Sequence, residues 1–102
     1  MRFYSVRTGN KTVLAAPFES GFIDLQTAYQ TMLYEEGYCA SPEAAELLSQ
    51  TLIPRDLRAL IEMGQKGMEA CEAAVRFARR STNRNPAPWF LAAEAAELEA
   101  PL

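Results

Sequence analysis

The pattern that decides the fold lies at residues 54–80, PRDLRALIEMGQKGMEACEAAVRFARR. Apolar or small residues recur there at steps of three and four, which places them on one face of an α-helix. They are Leu57, Leu60, Ile61, Gly64, Met68, Cys71, Val75 and Ala78. The pattern predicts one long amphipathic helix over about residues 54–80. Gly64 and Gly67 each weaken a helix by about 1 kcal/mol relative to alanine, so they indicate a close contact or a local bend.

Two shorter helices are predicted before this segment. Asp24 is suited to accept hydrogen bonds from the free N–H groups of a first turn, and Gly37 is suited to end the helix that begins there. Ser41 is a second N-cap, followed by Pro42 at the first helical position. This second helix is expected to run to about Gln50.

The chain before Asp24 is typical of short β-strands. Gly9 and Asn10 tolerate the positive φ angles of a tight hairpin turn, Pro17 is expected to end the second strand, and Gly21 is assigned to the next turn. The expected strands are residues 2–7 (RFYSVR), residues 12–16 (TVLAA) and a piece that begins at Phe22. The prediction is therefore an α+β fold, in which a small antiparallel meander of three short strands is packed by helices.

The chain after the long helix divides into two parts. Residues 81–88 (STNRNPAP) contain two prolines and no periodicity, which is typical of a linker. The Ala- and Glu-rich residues after Trp89 favour helix by propensity, and they need a surface on which to dock, in this domain or another. We therefore expect a domain at residues 1–80 and a linker or junction at residues 81–102.

Composition argues against several classes of function. The 102 residues suit one domain, and a formal net charge of −3 without a basic patch argues against nucleic-acid binding. The sequence contains no histidine, which removes histidine bases, histidine metal ligands and Ser-His-Asp or Cys-His catalysis. No secretory leader and no apolar run of about 20 residues is recognisable, so a cytoplasmic protein without a membrane segment is expected.

A few carboxylates and thiols are candidates for chemistry. Asp24 and Glu19 flank a turn, and residues 35–36 are both glutamate. A helix-capping role accounts for Asp24, and solvated surface positions account for the three glutamates. Cys71 lies on the apolar face of the long helix, where a core position is expected. Cys39 lies between helices without a basic neighbour to activate it. Two free thiols are expected, with one long-range disulfide between the two cysteines as the open alternative. We predict no catalytic, cofactor-binding or metal-binding residue in this chain.

Two further clusters allow two interpretations each. Arg79, Arg80 and Arg84 form the clearest basic cluster, which suits the negative end of a helix dipole or, alternatively, an anion or carboxylate partner. Trp89 and Phe90 are equally consistent with an anchor at a protein interface and with packing onto the helices of this domain.

Three stretches in order resemble the N-terminal region of fumarylacetoacetate hydrolase-family proteins. Residues 2–7 followed by Gly9 are similar to its opening strand and turn. Residues 21–25 (GFIDL) are similar to the family's G-x-V-D-L step into its first helix. Residues 54–64 (PRDLRALIEMG) resemble P-x-D-M-x-x-L-L-x-x-G at the start of its long helix, and residues 98–102 (LEAPL) resemble the junction with a catalytic domain.

The resemblance implies a role for the chain and a chemistry for its parent. Proteins of this family carry a larger C-terminal domain in which two glutamates and an aspartate hold a divalent metal, usually magnesium. The metal acts as a Lewis acid in the hydrolysis, decarboxylation or isomerisation of 2-oxo or 2-hydroxydienoic acids. None of those ligands can be placed on this sequence. The chain is therefore expected to be a non-catalytic accessory domain whose partner is the catalytic domain of the same protein.

Two departures from the family pattern and two alternatives accompany this interpretation. Residues 15–17 (AAP) replace a strand that often contains glycine, and residues 89–97 are unusually rich in alanine.

The first alternative is a free-standing interaction module, as a homodimer, motivated by the long amphipathic helix and the apolar residues 89–91 (WFL). The second is a small enzyme that acts alone, which the lack of histidine disfavours.

Overall fold

The computed structural model of the chain describes residues 3–81, 87–95 and 97–98. The elements within these residues confirm the predicted α+β class. Three strands come first, β1 (Tyr4–Thr8), β2 (Lys11–Phe18) and β3 (Gly21–Asp24). The helices follow, α1 (Leu25–Glu35), α2 (Pro42–Leu52), α3 (Leu57–Met63) and α4 (Gln65–Arg80). Two short strands, β4 (Phe90–Ala92) and β5 (Glu97–Leu98), flank a 3-10 turn at Ala93–Ala95.

The five strands form one antiparallel sheet in the order β4-β3-β2-β1-β5. Its middle is the predicted meander, and the first hairpin turns at Gly9, whose φ of 63° lies in the left-handed region that glycine adopts freely. Both edge strands, β4 and β5, lie beyond residue 80 in the chain. Pairing with β3 and β1 also overrides the helix propensity of the residues after Trp89.

Pro17 lies inside β2 rather than ending it, which corrects the prediction. The strand continues to Phe18, and Pro17 pairs with Phe22 of β3. The described part of β1 stops pairing with β2 at Tyr4, opposite Ala15. Proline lacks an N–H donor, and it is tolerated here because Pro17 lies beyond the last described pair between β1 and β2, Tyr4 with Ala15.

Gly21 begins β3 rather than belonging to the turn before it. The turn is formed by Glu19 and Ser20, with Glu19 at a φ of 52°. A Cβ atom on Gly21 would overlap the carbonyl oxygen of Leu91 and lie 2.9 Å from Phe90 Cζ. The lack of a side chain at Gly21 therefore lets β4 approach β3.

The long helix predicted at residues 54–80 is in fact two helices, α3 and α4, which meet at Gly64. Gly64 has φ 72° and ψ −141°, far from the values of about −63° and −42° that continue an α-helix. The predicted close contact is found at Gly67, where a Cβ would lie 3.0 Å from Leu60 Cδ1. The periodicity predicted helical structure on both sides of Gly64, but this glycine ends one helix instead of bending a continuous one.

The start of α3 and the extent of the apolar face also differ from the prediction. The Asp56 carboxylate caps α3 by accepting from the Ala59 N–H at 2.8 Å, so Pro54 precedes the helix. Ile61 is 71% exposed and Met68 is also exposed, so neither belongs to the core. The buried face of α4 consists of Gly67, Ala70, Cys71, Ala74, Val75, Phe77 and Ala78.

The predicted N-caps of α1 and α2 are confirmed. Asp24 Oδ1 accepts from the Thr27 N–H at 3.3 Å, and Oδ2 accepts from the Thr27 hydroxyl at 3.0 Å. Ser41 Oγ accepts from the Ala44 N–H at 3.1 Å, and α2 runs to Leu52, slightly beyond the predicted end. Within the described ranges, none of the helices has the length and apolar character needed to cross a membrane.

The sheet separates two apolar clusters. Alternate residues of a strand point to opposite faces, and on β2 Leu14 and Ala16 contact the helices whereas Val13 and Ala15 do not. The helix-side core includes Leu14, Ile23, Leu25, Leu33, Cys71, Val75, Phe77 and Trp89. The back-face cluster consists of Val6, Val13 and Ala15, with Tyr4, Phe22 and Leu91 packed against it.

The connection between the two edge strands requires a strongly curved sheet. β4 ends at Ala92 on one edge and β5 begins at Glu97 on the other. Five residues of chain span at most about 18 Å, whereas four strand spacings of a flat sheet amount to about 19 Å. Val6, in the back-face cluster, is fully buried.

Candidate functional site

One concave site on the described surface is a groove between the facing sides of α1 and α4. It is open to solvent and has a volume of about 310 Å³. Spacings of three and four residues bring its side chains onto one face of each helix. They are Tyr29, Met32 and Leu33 of α1, its C-cap residue Glu36, Ala73, Arg76 and Arg80 of α4, and Tyr38 from the loop after α1. We call this site the α1–α4 groove.

The turn at Gly37 places Tyr38 at the end of the groove. Gly37 has a φ of 81°, which confirms the predicted helix stop. The Tyr38 N–H donates to the Leu33 carbonyl at 2.9 Å and the Gly37 N–H donates to the Tyr34 carbonyl at 3.3 Å, a Schellman motif. The Tyr38 side chain is 70% exposed, so an aromatic ring stands at the rim of the groove.

The two arginines of the groove have different surroundings. Arg80 Nη2 donates to Glu36 Oε2 at 2.8 Å, which ties the ends of α4 and α1 together. Arg76 belongs to neither this ion pair nor the Arg58–Glu62 pair, and its guanidinium makes no hydrogen bond within the described residues. Among the described residues, the groove therefore contains one guanidinium in an ion pair, that of Arg80, and one outside any ion pair, that of Arg76.

Tyr29 contributes a neutral hydroxyl to the same groove. Burial raises the pKa of the Tyr29 phenol, and the neighbouring Cys39 and Tyr38 raise it further when they are charged. The phenol therefore stays protonated at neutral pH and is able to donate a hydrogen bond. With Met32 and Leu33 buried beside it, the groove combines an apolar base with polar donors.

A second cleft lies between β2, the start of α1 and α2, and has a volume of about 230 Å³. Several of its polar groups are engaged in structural hydrogen bonds. Asp24 caps α1, and Gln26 Nε2 donates to the Ile53 carbonyl at 2.9 Å. Gln50 Nε2 donates to Glu46 Oε1 at 3.3 Å across one turn of α2. These contacts hold the fold together, so we regard the α1–α4 groove as the better candidate site.

The candidate thiols and carboxylates named from the sequence do not form a site together. Cys71 is fully buried as predicted, and burial with the adjacent Glu72 charge raises the pKa of its thiol to about 12. Cys39 is half-buried against the helix-side core. Both cysteines are free thiols in the structure, so the alternative of a disulfide between them does not apply. Glu19 is an exposed turn residue, as expected.

Trp89 packs back onto this domain, which decides between the two interpretations of this residue. It is 1% exposed, and its ring meets that of Phe77 edge to face at 5.3 Å between centroids. The Asp24 N–H donates to the Trp89 carbonyl at 2.8 Å. Phe90 is 36% exposed at the edge of the sheet. Arg84 of the predicted basic cluster lies outside the described residues.

Sequence reasoning did not foresee the α1–α4 groove. The spacing of Arg76 and Arg80 by four residues was visible in the sequence and indicates one helix face. The partner helix and the loop residue Tyr38 were not predictable from local spacing, because they meet α4 only through tertiary packing.

The residues described here do not fit a magnesium site. Within residues 3–81, 87–95 and 97–98, no group of three or more cysteine, aspartate or glutamate side chains is placed to hold a metal ion.

The fold and the groove define a small α+β domain with helices on one face of a curved antiparallel sheet. Comparison of the chain with models of protein families, with curated proteins and with solved structures gave no significant match.

Proposed function

We propose that this chain is the non-catalytic N-terminal domain of a cytoplasmic fumarylacetoacetate hydrolase-family enzyme, and that it packs on the catalytic domain of the same protein. The observation that carries the proposal is a contact between two of the family-like stretches. The Leu57 N–H, in residues 54–64, donates to Ser5 Oγ, in residues 2–7, at 2.9 Å. Stretches that are about 50 residues apart in sequence thus form one folded unit.

The third family-like stretch has a defined structural role that supports the same proposal. Residues 21–25 (GFIDL) supply the whole of β3, the cap of α1 and its first residue. Gly21 admits β4, Ile23 enters the helix-side core, and Asp24 caps α1. Each of these roles is structural, which suits a scaffold whose partner domain carries out the chemistry.

In the proposed parent enzyme the metal and its ligands belong to the catalytic domain. Magnesium held there by two glutamates and an aspartate would polarise an enolisable 2-oxo or 2-hydroxydienoic acid. The domain described here would support that unit and border the entrance to its active site.

Turnover by the isolated chain provides the test. We expect the purified 102-residue chain with added magnesium to leave an acylpyruvate unchanged, and we expect the coding sequence to continue beyond Leu102 into a region with metal-binding glutamates. The same assay on the complete gene product is the positive control. Hydrolysis of the acylpyruvate by the isolated chain, or a stop codon directly after Leu102, would contradict the proposal.

A homodimeric interaction module is the second candidate, and one observation favours it. Leu47 on α2 is 69% exposed, and Ile61 on α3 is exposed to a similar extent. Large apolar side chains at the surface favour association with a partner. Light scattering of the chain over a range of concentrations tests this candidate, since a monomer at all concentrations would remove it.

A further inference from the structure

We propose that the α1–α4 groove binds a small carboxylic acid with an aromatic or aliphatic body, whose carboxylate is held by Arg76. The body of the acid would lie against Met32 and Tyr29, beneath the ring of Tyr38. This proposal does not depend on the family assignment, because it rests only on the groove and its side chains.

The charged side chains of the α1–α4 groove favour an acidic ligand. The chain carries a formal net charge of −3, yet this groove presents two guanidinium groups and one carboxylate. Glu36 is already paired with Arg80, so the remaining positive charge is that of Arg76. A guanidinium has five N–H donors in a planar arrangement that matches both oxygens of a carboxylate. Arg76 is exposed to solvent and takes part in neither ion pair of the described residues, so its guanidinium is accessible to an acid.

The position of Arg76 along α4 supports the same conclusion. The negative end of a helix dipole accounts for cations in the last turn, where Arg79 and Arg80 lie. Arg76 is one turn earlier, so the dipole explains its charge less well. It also lies on the groove side of α4, four residues before Arg80.

Shape and polarity indicate the body of the ligand. The volume of about 310 Å³ is at the lower end of ligand pockets, which occupy about 300–1,000 Å³. Such a volume suits a one-ring or short-chain acid better than a nucleotide. Met32 and Leu33 give the groove an apolar base, and the two tyrosines give it aromatic walls. An inorganic anion would use the arginine but would gain nothing from these walls.

Titration of the 15N-labelled chain with 3-phenylpropionate, followed by NMR, tests the proposal. We expect saturable shifts in the resonances of residues 29–38 and 73–80, and in the Nε–Hε signal of Arg76. The uncharged isostere 3-phenylpropionamide is expected to bind at least about tenfold more weakly, since it lacks the charge-assisted contact with the guanidinium. Inorganic phosphate is expected to bind at least about tenfold more weakly as well, because it has no apolar body to lie against the walls of the groove.

Two matched variants locate the contact. Arg76→Gln should weaken binding of 3-phenylpropionate by about tenfold or more. Arg79→Gln removes the same charge from an exposed position outside the groove and should change affinity by less than about twofold, because solvent and salt screen it. The proposal is wrong if the amide or phosphate binds as tightly as the acid, if both variants weaken binding equally, or if no saturable shifts occur at millimolar acid.

Discussion

The helix-side core and the tail, by which we mean residues 87–95 and 97–98, are held to the sheet in different ways. In the core, α1 and α4 bury many small side chains, such as Ala28, Ala74 and Ala78, along several helical turns. The tail depends on one large side chain, Trp89, and on ladders of three residue pairs to β3 and two to β1. The core therefore distributes its stability over many contacts, whereas the tail concentrates it in a few.

Truncation of Trp89 should have the largest effect. We expect Trp89→Ala to lower the free energy of unfolding by about 3–5 kcal/mol, since a large buried aromatic leaves a cavity beside Phe77. Urea titration followed by far-ultraviolet circular dichroism measures this loss. Phe90→Ala is the matched control, because Phe90 is adjacent but partly exposed, and it should cost about 1 kcal/mol. Equal losses in the two variants would show that the tail does not depend on Trp89.

Substitution of Gly21 should separate β4 from the sheet. In Gly21→Ala the added methyl group would overlap the Leu91 carbonyl, and we expect a loss of about 1–3 kcal/mol. The fluorescence of Trp89 should shift to the red as the tail moves away from α4. Gly9→Ala tests whether the effect is local, because its Cβ meets nothing within 4 Å and should leave the fluorescence unchanged. An unchanged spectrum for Gly21→Ala would contradict the close approach of β4.

A substitution at Gly64 tests whether residues 54–80 form two helices or one. Its backbone conformation is close to one that almost only glycine adopts, so Gly64→Ala should cost about 1–3 kcal/mol in urea titrations. If residues 54–80 instead formed one continuous helix, the same change would stabilise the protein by about 1 kcal/mol. Lys66→Ala, at an exposed position of α4, is the control and should have little effect. The sign of the change distinguishes two helices from one.

The buried thiol of Cys71 should make the core sensitive to alkaline pH. Burial raises the pKa of this thiol from 9.0 to about 12, so the folded state favours the protonated form. Its contribution to the free energy of unfolding is complete below about pH 9 and is lost as the pH approaches 12. The stability difference between wild type and Cys71→Ala should therefore shrink over this range in urea titrations. A difference that stays constant up to about pH 11 would contradict this expectation.

The difference between the helix-side core and the tail also explains which features could be predicted from the sequence. The caps at Asp24 and Ser41, the stop at Gly37 and the hairpin at Gly9 depend on neighbouring residues, and all four predictions are confirmed. The strands of the tail pair with residues about 70 to 90 positions earlier, as in Phe90 with Ile23 and Glu97 with Arg7. No local pattern encodes such pairing, so propensity favoured a helix there.

The candidate groove has the same limitation. The four-residue spacing of its two arginines predicts that they share a helix face. The distance from these arginines to Tyr29 and Tyr38, in contrast, depends on how α1 packs on α4. The break at Gly64 was foreseen as a weak point, although its extent was not, because periodicity cannot report a positive φ angle.

Hydrogen exchange of the Asp24 backbone amide tests the central structural claim most directly, namely that the tail belongs to the same folded unit as the core. This N–H donates to the Trp89 carbonyl at 2.8 Å, so its protection reports whether the tail is in place. We predict that it exchanges as slowly as the amides of Val75 and Phe77 in α4, in the chain alone. Exchange at the rate of an unstructured peptide, while those α4 amides stay protected, would show that the tail is not part of this domain.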